Sequence, residues 1–282
     1  MTDRYAVIGN PIAHSKSPRI HAAFAAQTGQ DMQYDALLGR LDGFAETVRD
    51  FARNGGRGLN VTIPFKLEAH ALAHERSARA EAARAVNTLV FEQGRIIGDN
   101  TDGAGLVQDL THNLGLTLKG ARILLLGAGG AARGVIFPLL QLAPTSLCIA
   151  NRTVARAQEL QHEFAPRATS MGHNCTLIGC GFDDLAGQSF DVVINATAAS
   201  LSDDAPPLPA GLYAPHAAAY DMVYGKGRTP FLQQAVADGA EILADGLGML
   251  VEQAAEAFTL WRGVRPNTAP VLQTLRAELS VS

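Results

Sequence analysis

The spacing of hydrophobic residues predicts short strands and helices in alternation along the first hundred residues. Residues 5–9 are an apolar run of strand length and 59–63 are predicted to form a second strand that runs into Pro64, while Ile20, Ala23 and Phe24 recur at helical spacing. Residues 87–91 and 95–98 predict a hairpin around a Glu-Gln-Gly turn. The first region is therefore expected to combine both kinds of element in one α/β fold.

From residue 122 onward, predicted strands and helices alternate more regularly. The continuous apolar run 123–126 is typical of a strand that helices cover on both faces. A glycine-rich turn, an apolar helix and a second strand at 146–150 follow it. Further strands are predicted at 175–178, 191–195, 218–223 and 241–243. This order is that of a doubly wound parallel sheet.

Two more helices are predicted after the last of these strands. Apolar residues recur at helical spacing from Leu247 to Trp261, and another helix begins near Asn267. The simplest assembly packs both helices back on the amino-terminal region. The sequence thus predicts a discontinuous α/β domain of residues 1–103 plus 245–282, and a Rossmann-type domain of residues 104–244.

The glycine-rich turn of the second domain has the context of a dinucleotide site. The motif Gly127-Ala128-Gly129-Gly130-Ala131 lies directly between a buried strand and a helix. The first glycine allows a tight turn, Gly129 lets the backbone approach a pyrophosphate, and the helix start supplies N–H donors. We expect this turn to bind the pyrophosphate of a nucleotide.

The end of the next strand indicates which nucleotide binds. NAD sites usually place an acidic residue there, but this strand ends in Asn151, Arg152 and Thr153, with Arg156 one turn further on. Guanidinium groups bind a 2′-phosphate, so these residues favour NADP. Thr153 is equally consistent with a phosphate contact or with capping of the following helix.

Composition and charge exclude several other classes of protein. Hydrophobic residues make up 47% of the 282, yet no run reaches the about 20 mostly apolar residues of a membrane-spanning helix. No secretory leader is apparent, so we expect a cytoplasmic protein. The net charge is -4 without a basic cluster, which argues against nucleic acid. Three cysteines without a metal-ligand spacing predict neither a disulfide framework nor a metal site.

Polar residues of the first domain lie at predicted strand ends and helix starts. Ser15 and Ser17 precede a helix that opens with Pro18, a plausible receptor for a carboxylate, although Ser17 is also a normal N-cap. Lys66 follows the strand at 59–63 by one turn. Taken alone, Lys66 is better interpreted as a solvated surface lysine than as a functional residue.

The polar runs occur in an order that resembles the shikimate dehydrogenase family of the AroE type. The matching runs span most of the chain: Ser-Lys-Ser-Pro, Asn-Val-Thr-Ile-Pro-Phe-Lys, Ala-Val-Asn-Thr, Gly-Asp-Asn-Thr-Asp-Gly, Gly-Ala-Gly-Gly-Ala, Asn-Arg-Thr, Asn-Ala-Thr, Tyr-Asp-Met-Val-Tyr and Asp-Gly-Leu-Gly-Met-Leu. The resemblance implies a substrate domain, an NADP-binding domain and the reversible NADPH-dependent reduction of 3-dehydroshikimate to shikimate, a step of chorismate and aromatic amino-acid biosynthesis.

The resemblance also implies roles for individual residues. Lys66 is expected to be the general acid/base, and Asp102 is expected to orient it. The substrate carboxylate is assigned to Ser15, Ser17 and Tyr224, and its ring hydroxyls to Thr62, Asn87, Asp102 and Gln253. Thr197 is expected to line the cofactor site, with Met222 and Gly246 beside the nicotinamide ring.

Two alternatives stay open, and one loop departs from the family pattern. A quinate/shikimate dehydrogenase that uses NAD or NADP would share most of these residues, and a catalytically inactive NADPH-binding sensor would share the nucleotide motif. Family members commonly have a glycine after Asn-Ala-Thr, where this chain has residues 198–200, Ala-Ala-Ser. The small-molecule substrate is the expected partner, and a homodimer is neither predicted nor excluded.

Overall fold

Two six-stranded sheets organise the chain. The structure is a computed structural model that describes residues 2–197, 199 and 204–281. Two compact units divide it, one of residues 1–105 and 250–274 and the other of residues 106–249 and 275–282. Within the described ranges, no helix is long and apolar enough to cross a membrane. The predicted α/β class is confirmed.

The first unit is built on a mixed sheet with the strand order β2-β1-β3-β5-β6-β4. Strand β1 is parallel to β2 and β3, whereas β5 is antiparallel to both β3 and β6. The elements up to the end of this region are β1 Asp3–Gly9, α1 Ser17–Thr28, β2 Met32–Leu38, α2 Phe44–Arg53, β3 Gly56–Val61, α3 Lys66–Leu72, β4 Glu75–Arg76, α4 Ala78–Ala83, β5 Thr88–Glu92, β6 Arg95–Asp99 and α5 Asp102–Gln108.

Successive residues of β1 separate the two apolar layers of this unit. Ala6 and Ile8 pack with the helices on one face, and Tyr5 and Val7 pack on the other. On the second face lies Trp261, whose ring centroid is 4.7 Å from that of Tyr5 and whose Nε1 donates to the backbone oxygen of Leu89 at 3.0 Å. This contact fastens the carboxy-terminal part of the unit to its central strands.

The second unit is built on a fully parallel sheet with the strand order β12-β11-β10-β7-β8-β9. This order is that of a doubly wound sheet, the architecture that the alternating apolar runs predict. The remaining elements are a π-helix Asp109–Asn113, β7 Arg122–Leu126, α6 Gly130–Gln141, β8 Ser146–Ala150, α7 Val154–Ser170, β9 Thr176–Cys180, a 3-10 turn Asp183–Leu185, β10 Phe190–Asn195, β11 Tyr213–Asp221, α8 Pro230–Ala237, β12 Ile242–Asp245, α9 Leu247–Arg262 and α10 Ala269–Val281.

The carboxy terminus differs from the predicted domain boundary. Residues 245–249 and 275–282 group with the second unit, whereas the sequence predicts that all of 245–282 belong to the first. In the second unit, Arg276 Nη1 and Nη2 each donate to the Asp245 carboxylate at 2.6 Å. That bidentate ion pair attaches the last helix to the end of β12.

Strands β2 and β4 are not predicted from the sequence, and β11 begins earlier than predicted. Strand β2 is an edge strand in which Tyr34 alone is buried, so its sequence lacks an apolar run. Strand β11 begins at Tyr213, whereas the sequence predicts a start at 218. The prediction misses the first residues because the exposed Pro215 and His216 interrupt the hydrophobic pattern. His216 has a φ of 64°, and the pairing of β11 with β10 shifts register before residue 218.

Candidate active site

Lys66 and Asp102 form an ion pair at one edge of the first sheet. Lys66 is the first residue of α3 and follows the end of β3, while Asp102 is the first residue of α5 and follows β6. Lys66 Nζ lies 2.6 Å from Asp102 Oδ2, and the two side chains are 31% and 21% exposed. The ammonium group is thus held in place yet open to a ligand or to water.

Asn87 fixes the other oxygen of the Asp102 carboxylate. Its Nδ2 donates to Asp102 Oδ1 at 2.8 Å and to Thr101 Oγ1 at 3.0 Å. Its Oδ1 accepts the backbone N–H of Thr101 at 2.8 Å. These partners distinguish the nitrogen from the oxygen of the amide, so the orientation of the buried Asn87 side chain is determined.

Gln253 of α9 joins the same cluster. Its Oε1 accepts from Asn87 Nδ2 at 3.3 Å, and its Nε2 donates to the backbone oxygen of Leu250 at 3.0 Å. The next residue towards the amino terminus, Glu252, is buried and bound to Arg265 and Thr268, so it serves the packing of the helix. The structure therefore brings together four of the predicted residues: Lys66, Asn87, Asp102 and Gln253.

A second ion pair holds the segment that carries Asp102. Arg79 binds both oxygens of Asp99 at 2.7 Å and reaches Glu256 at 2.9 Å. Burial is the largest single effect and raises the pKa of Asp99, but the hydrogen bonds and charge of Arg79, together with hydrogen bonds from Ser77 and the Asn100 backbone, outweigh it and leave the pKa lowered. Asn100 then accepts the backbone N–H of Asp102 at 3.1 Å. The motif Gly-Asp-Asn-Thr-Asp-Gly contains Asp99 and Asn100, but the sequence does not reveal that Arg79 binds Asp99.

A buried polar chain leads away from Asn87 and was not predicted. Tyr34 Oη donates to Asn60 Oδ1 at 2.6 Å, Asn60 Nδ2 donates to Thr88 Oγ1 at 3.1 Å, and Thr88 Oγ1 donates to Asn87 Oδ1 at 2.9 Å. Asn60 and Thr88 interrupt otherwise apolar strands, and polar residues in such places are the signal that could have found them.

Ser15, Ser17 and Thr62 lie at the same sheet edge as Lys66. The backbone N–H of Ser17 donates to Ser15 Oγ at 3.3 Å. The N-cap of α1 is Lys16, which makes no side-chain capping bond, so the capping interpretation of Ser17 is wrong. Thr62 directly follows β3, and a Cβ added at Gly9 would lie 2.4 Å from its Cγ2. Glycine is required there for β1 and the loop after β3 to meet.

The glycine turn of the second unit presents an open helix start. Gly127 has a φ of 104°, and a Cβ added to it would lie 3.1 Å from the backbone oxygen of Ala196. Gly129 and Gly130 are exposed, with open space where a Cβ would stand. Gly130 begins the 12-residue helix α6. Its first N–H groups are available to an anion, with Ala128 and Ala131 beside them.

Two arginines beside this turn suit a phosphate. Arg152 and Arg156 are exposed, and no carboxylate among the described residues lies within ion-pair distance of either. Asn151 Nδ2 donates to the backbone oxygen of Thr153 at 2.9 Å, which shapes the turn after β8. Thr153 occupies the N-cap of α7, the position that the capping alternative gives it, but its side chain makes no capping hydrogen bond there.

Thr197, Met222 and Gly246 lie at the ends of β10, β11 and β12. Asn195 joins the first two, since its Oδ1 accepts from Thr197 Oγ1 at 2.7 Å and its backbone oxygen accepts from Met222 N at 2.9 Å. A Cβ added at Gly246 would lie 2.1 Å from the Met222 oxygen. Only glycine allows this approach of the two loops.

Tyr224 and the loop after Thr197 are the remaining positions that the sequence analysis singled out. Tyr224 belongs to the second unit, and burial raises its pKa, with a smaller contribution from Asp245. The unusual loop after Thr197 lies partly outside the described residues, which omit Ala198 and Ser200. Within the described part of the chain, no group of three or more His, Cys, Asp or Glu side chains is arranged to hold a metal ion.

Comparison with known proteins gives consistent matches along the chain. Three family models match: the shikimate dehydrogenase substrate binding domain over residues 7–89, shikimate / quinate 5-dehydrogenase over 109–202, and the shikimate 5′-dehydrogenase C-terminal domain over 246–276. The chain is 62% identical over 277 residues to the shikimate dehydrogenase (NADP(+)) of Aromatoleum aromaticum, with 98% of each chain covered.

Two solved structures show the same fold. The Ael1 enzyme from Pseudomonas putida matches with a TM-score of 0.89 and 52% identity, covering 97% of this chain and 98% of that one. Shikimate 5-dehydrogenase from Thermus thermophilus, in complex with NADP(H) and shikimate, matches with a TM-score of 0.83 and 34% identity, covering 98% and 99%.

Proposed function

The chain belongs to the shikimate dehydrogenase family, and we propose that it catalyses the reversible NADPH-dependent reduction of 3-dehydroshikimate to shikimate. The observation that carries this proposal is the Lys66–Asp102 ion pair of 2.6 Å, with Asn87 on the second carboxylate oxygen. An oxidoreductase of this kind acts in chorismate and aromatic amino-acid biosynthesis, which is consistent with a cytoplasmic location.

Lys66 is the proposed proton donor in the reduction. As the carbonyl carbon of the substrate accepts a hydride, negative charge develops on the carbonyl oxygen, and an ammonium group stabilises that charge and protonates the oxygen. The proton lost from Nζ is replaced from water, to which the 31% exposed side chain has access. In shikimate oxidation, the same nitrogen removes the hydroxyl proton. Asp102 keeps Nζ in position and accepts a hydrogen bond from the substrate hydroxyl.

The polar side chains around Lys66 are proposed to orient the substrate. Asn87, Gln253 and Thr62 offer amide and hydroxyl groups to the ring hydroxyls of shikimate, and their locations at the sheet edge support this role. Ser15 and Ser17 are proposed to bind the carboxylate together with Tyr224. A site built to hydrogen-bond several hydroxyls discriminates strongly against compounds that lack them, because its polar groups would be left unpaired.

The residues of the second unit fit NADP. A pyrophosphate fits the exposed N–H groups at the start of α6, because the space next to Gly129 and Gly130 is open. Arg152 and Arg156 are proposed to bind the 2′-phosphate, with Asn151 and Thr153 beside them. Thr197, Met222 and Gly246 are proposed to flank the nicotinamide. When bound, NADPH supplies the hydride for the reduction.

A spectrophotometric assay tests the proposal. The purified protein is mixed with NADP⁺ and shikimate, and the appearance of NADPH is followed near 340 nm. Parallel reactions replace shikimate by quinate and NADP⁺ by NAD⁺. The proposal predicts turnover with shikimate and NADP⁺ well above the other combinations. Comparable turnover of quinate would favour a quinate/shikimate dehydrogenase, and NADPH binding without any turnover would favour a sensor.

A further inference from the structure

A large cavity opens at the edge of the first sheet that is opposite to Lys66. Its volume is about 850 Å³, and it lies where β1 and β3 begin and where the β5–β6 hairpin turns. Strand β1 is seven residues long, so its two ends are separated by roughly 20 Å at the usual rise of a strand. A ligand in this cavity would therefore not overlap the proposed substrate.

The lining of this cavity is strongly basic in a protein of net charge -4. It contains five arginines, namely Arg4, Arg49, Arg53, Arg57 and Arg95, and a single carboxylate, Asp3. Asp3 binds both Arg57 and Arg262, so its charge is already neutralised. A local excess of arginine attracts small anions by both charge and geometry.

Two of these arginines, Arg4 and Arg49, have guanidinium N–H groups that are available to a ligand. Arg53 and Arg95 pair with Asp50 and Glu75, respectively. In contrast, no described carboxylate lies within ion-pair distance of Arg4 or Arg49, both of which are exposed. Arg4 makes one long hydrogen bond, 3.4 Å from Nη1 to the backbone oxygen of Asn54, and most N–H donors of its guanidinium group remain for a ligand.

Local packing holds these arginines in a defined arrangement. The guanidinium carbon of Arg4 lies 5.7 Å from the centroid of the Phe51 ring, a cation–π distance. Arg49 and Arg53 are separated by one turn on α2 and therefore lie on the same helix face. Arg53 in the last turn offsets the partial negative charge of that helix end. Phe91 adds apolar surface to the lining.

We propose that this cavity, lined by Arg4, Arg49, Arg53, Arg57 and Arg95, binds a small metabolite carrying two or more phosphate or carboxylate groups. Guanidinium groups bind both kinds of oxyanion through paired hydrogen bonds, and several arginines around one cavity suit a ligand with more than one negative group. The volume is within the range of small-molecule sites.

Isothermal titration calorimetry with inorganic pyrophosphate and with citrate tests this site and separates the two sources of negative charge. The enzyme is first saturated with NADPH and shikimate, which are both in the reduced state and cannot react with each other, so that the anion does not enter the cofactor or substrate site. We expect saturable binding of at least one of the two anions. Binding of pyrophosphate alone would identify a phosphate ligand, and binding of citrate alone would identify a carboxylate ligand.

Matched double variants then locate the binding. Arg4→Gln with Arg49→Gln should weaken the anion at least about tenfold, the scale of losing charge-assisted hydrogen bonds. Lys119→Gln with Arg167→Gln removes the same charge from the other unit and should leave the affinity unchanged. Arg49→Gln alone, on the surface of α2, should show part of the loss if the double variant folds poorly.

Two results would overturn the proposal. One is the absence of saturable heat with both anions on the wild-type enzyme. The other is an equal loss of affinity in both double variants, since this would show attraction to overall charge rather than to the cavity. Shikimate oxidation by each folded variant is measured alongside, and we expect it to be retained because none of the four residues belongs to the proposed active site.

Discussion

His21 is expected to make the first unit unstable in mild acid. Its side chain is completely buried between aromatic rings, with the Tyr34 centroid at 4.1 Å and the Trp261 centroid at 5.4 Å. Neither ring nitrogen has a hydrogen-bond partner among the described residues. Burial lowers the pKa of His21 from 6.5 to about 3, and the Asn60 side chain offsets only part of this effect.

The sign and size of the effect follow from linkage. The unfolded chain protonates this histidine near pH 6.5, whereas the folded protein does not protonate it until about pH 3. The unfolded state therefore binds more protons between these values, and stability falls as the pH is lowered through that window. Between pH 7 and pH 5, His21 alone should cost roughly 2 kcal/mol of unfolding free energy.

Urea denaturation of the wild type and of His21→Phe at pH 7, 6 and 5 measures this contribution. Phenylalanine keeps the stacked ring but cannot be protonated, so the variant should lose about 2 kcal/mol less than the wild type over this range. His162→Gln, at an exposed position of α7, is the matched control and should follow the wild type. Equal pH dependence in His21→Phe and wild type would refute the reasoning, as would a His21 ring signal in NMR that titrates near pH 6.

Three further predictions concern the proposed active site. Lys66→Ala should lower kcat about 100-fold or more while the KM for shikimate changes little, and a change confined to KM would reassign Lys66 to substrate positioning. Arg152→Ala should reduce the ratio of kcat/KM for NADPH over NADH at least about tenfold, whereas Arg167→Ala should not, and an unchanged ratio after the Arg152 substitution contradicts the 2′-phosphate assignment. Gly246→Ala would place a Cβ 2.1 Å from the Met222 oxygen. It should weaken NADPH binding in a fluorescence titration, and wild-type affinity would show that this close approach is not needed.

The sequence predicts best those elements that are buried on both faces. Strands β7, β8 and β10 each contain an uninterrupted apolar run, because helices cover both sides of their sheet. Strand β2 escapes prediction because it lies at a sheet edge and buries little besides Tyr34. The ion pair that links residues 275–282 to Asp245 of the second unit joins positions 31 residues apart, and no local pattern reveals such a pair.

For the proposed site, too, the sequence predicts individual residues better than it predicts the contacts between them. Motifs identify Lys66, Asn87 and Asp102, and the structure brings them together. Their supporting contacts join residues far apart in the chain, such as Tyr34 with Asn60 and Arg79 with Glu256. Such pairs depend on strand register and helix packing, so a single sequence shows polar residues in unusual places but not which of them meet.

The fixed orientation of the Asn87 amide also limits how the enzyme can change by mutation. One nucleotide change converts an asparagine codon into an aspartate codon, and the two side chains have nearly the same shape. At position 87, however, the substitution would set a second carboxylate against Asp102, where the Asn87 Nδ2 now lies 2.8 Å from Oδ1. Two carboxylates this close tend to share a proton. In such a variant, the carboxylate pair would compete with Lys66 for the proton of its ammonium group. At position 87, asparagine and aspartate would thus differ in the number of protons that the site holds rather than in the shape of the site.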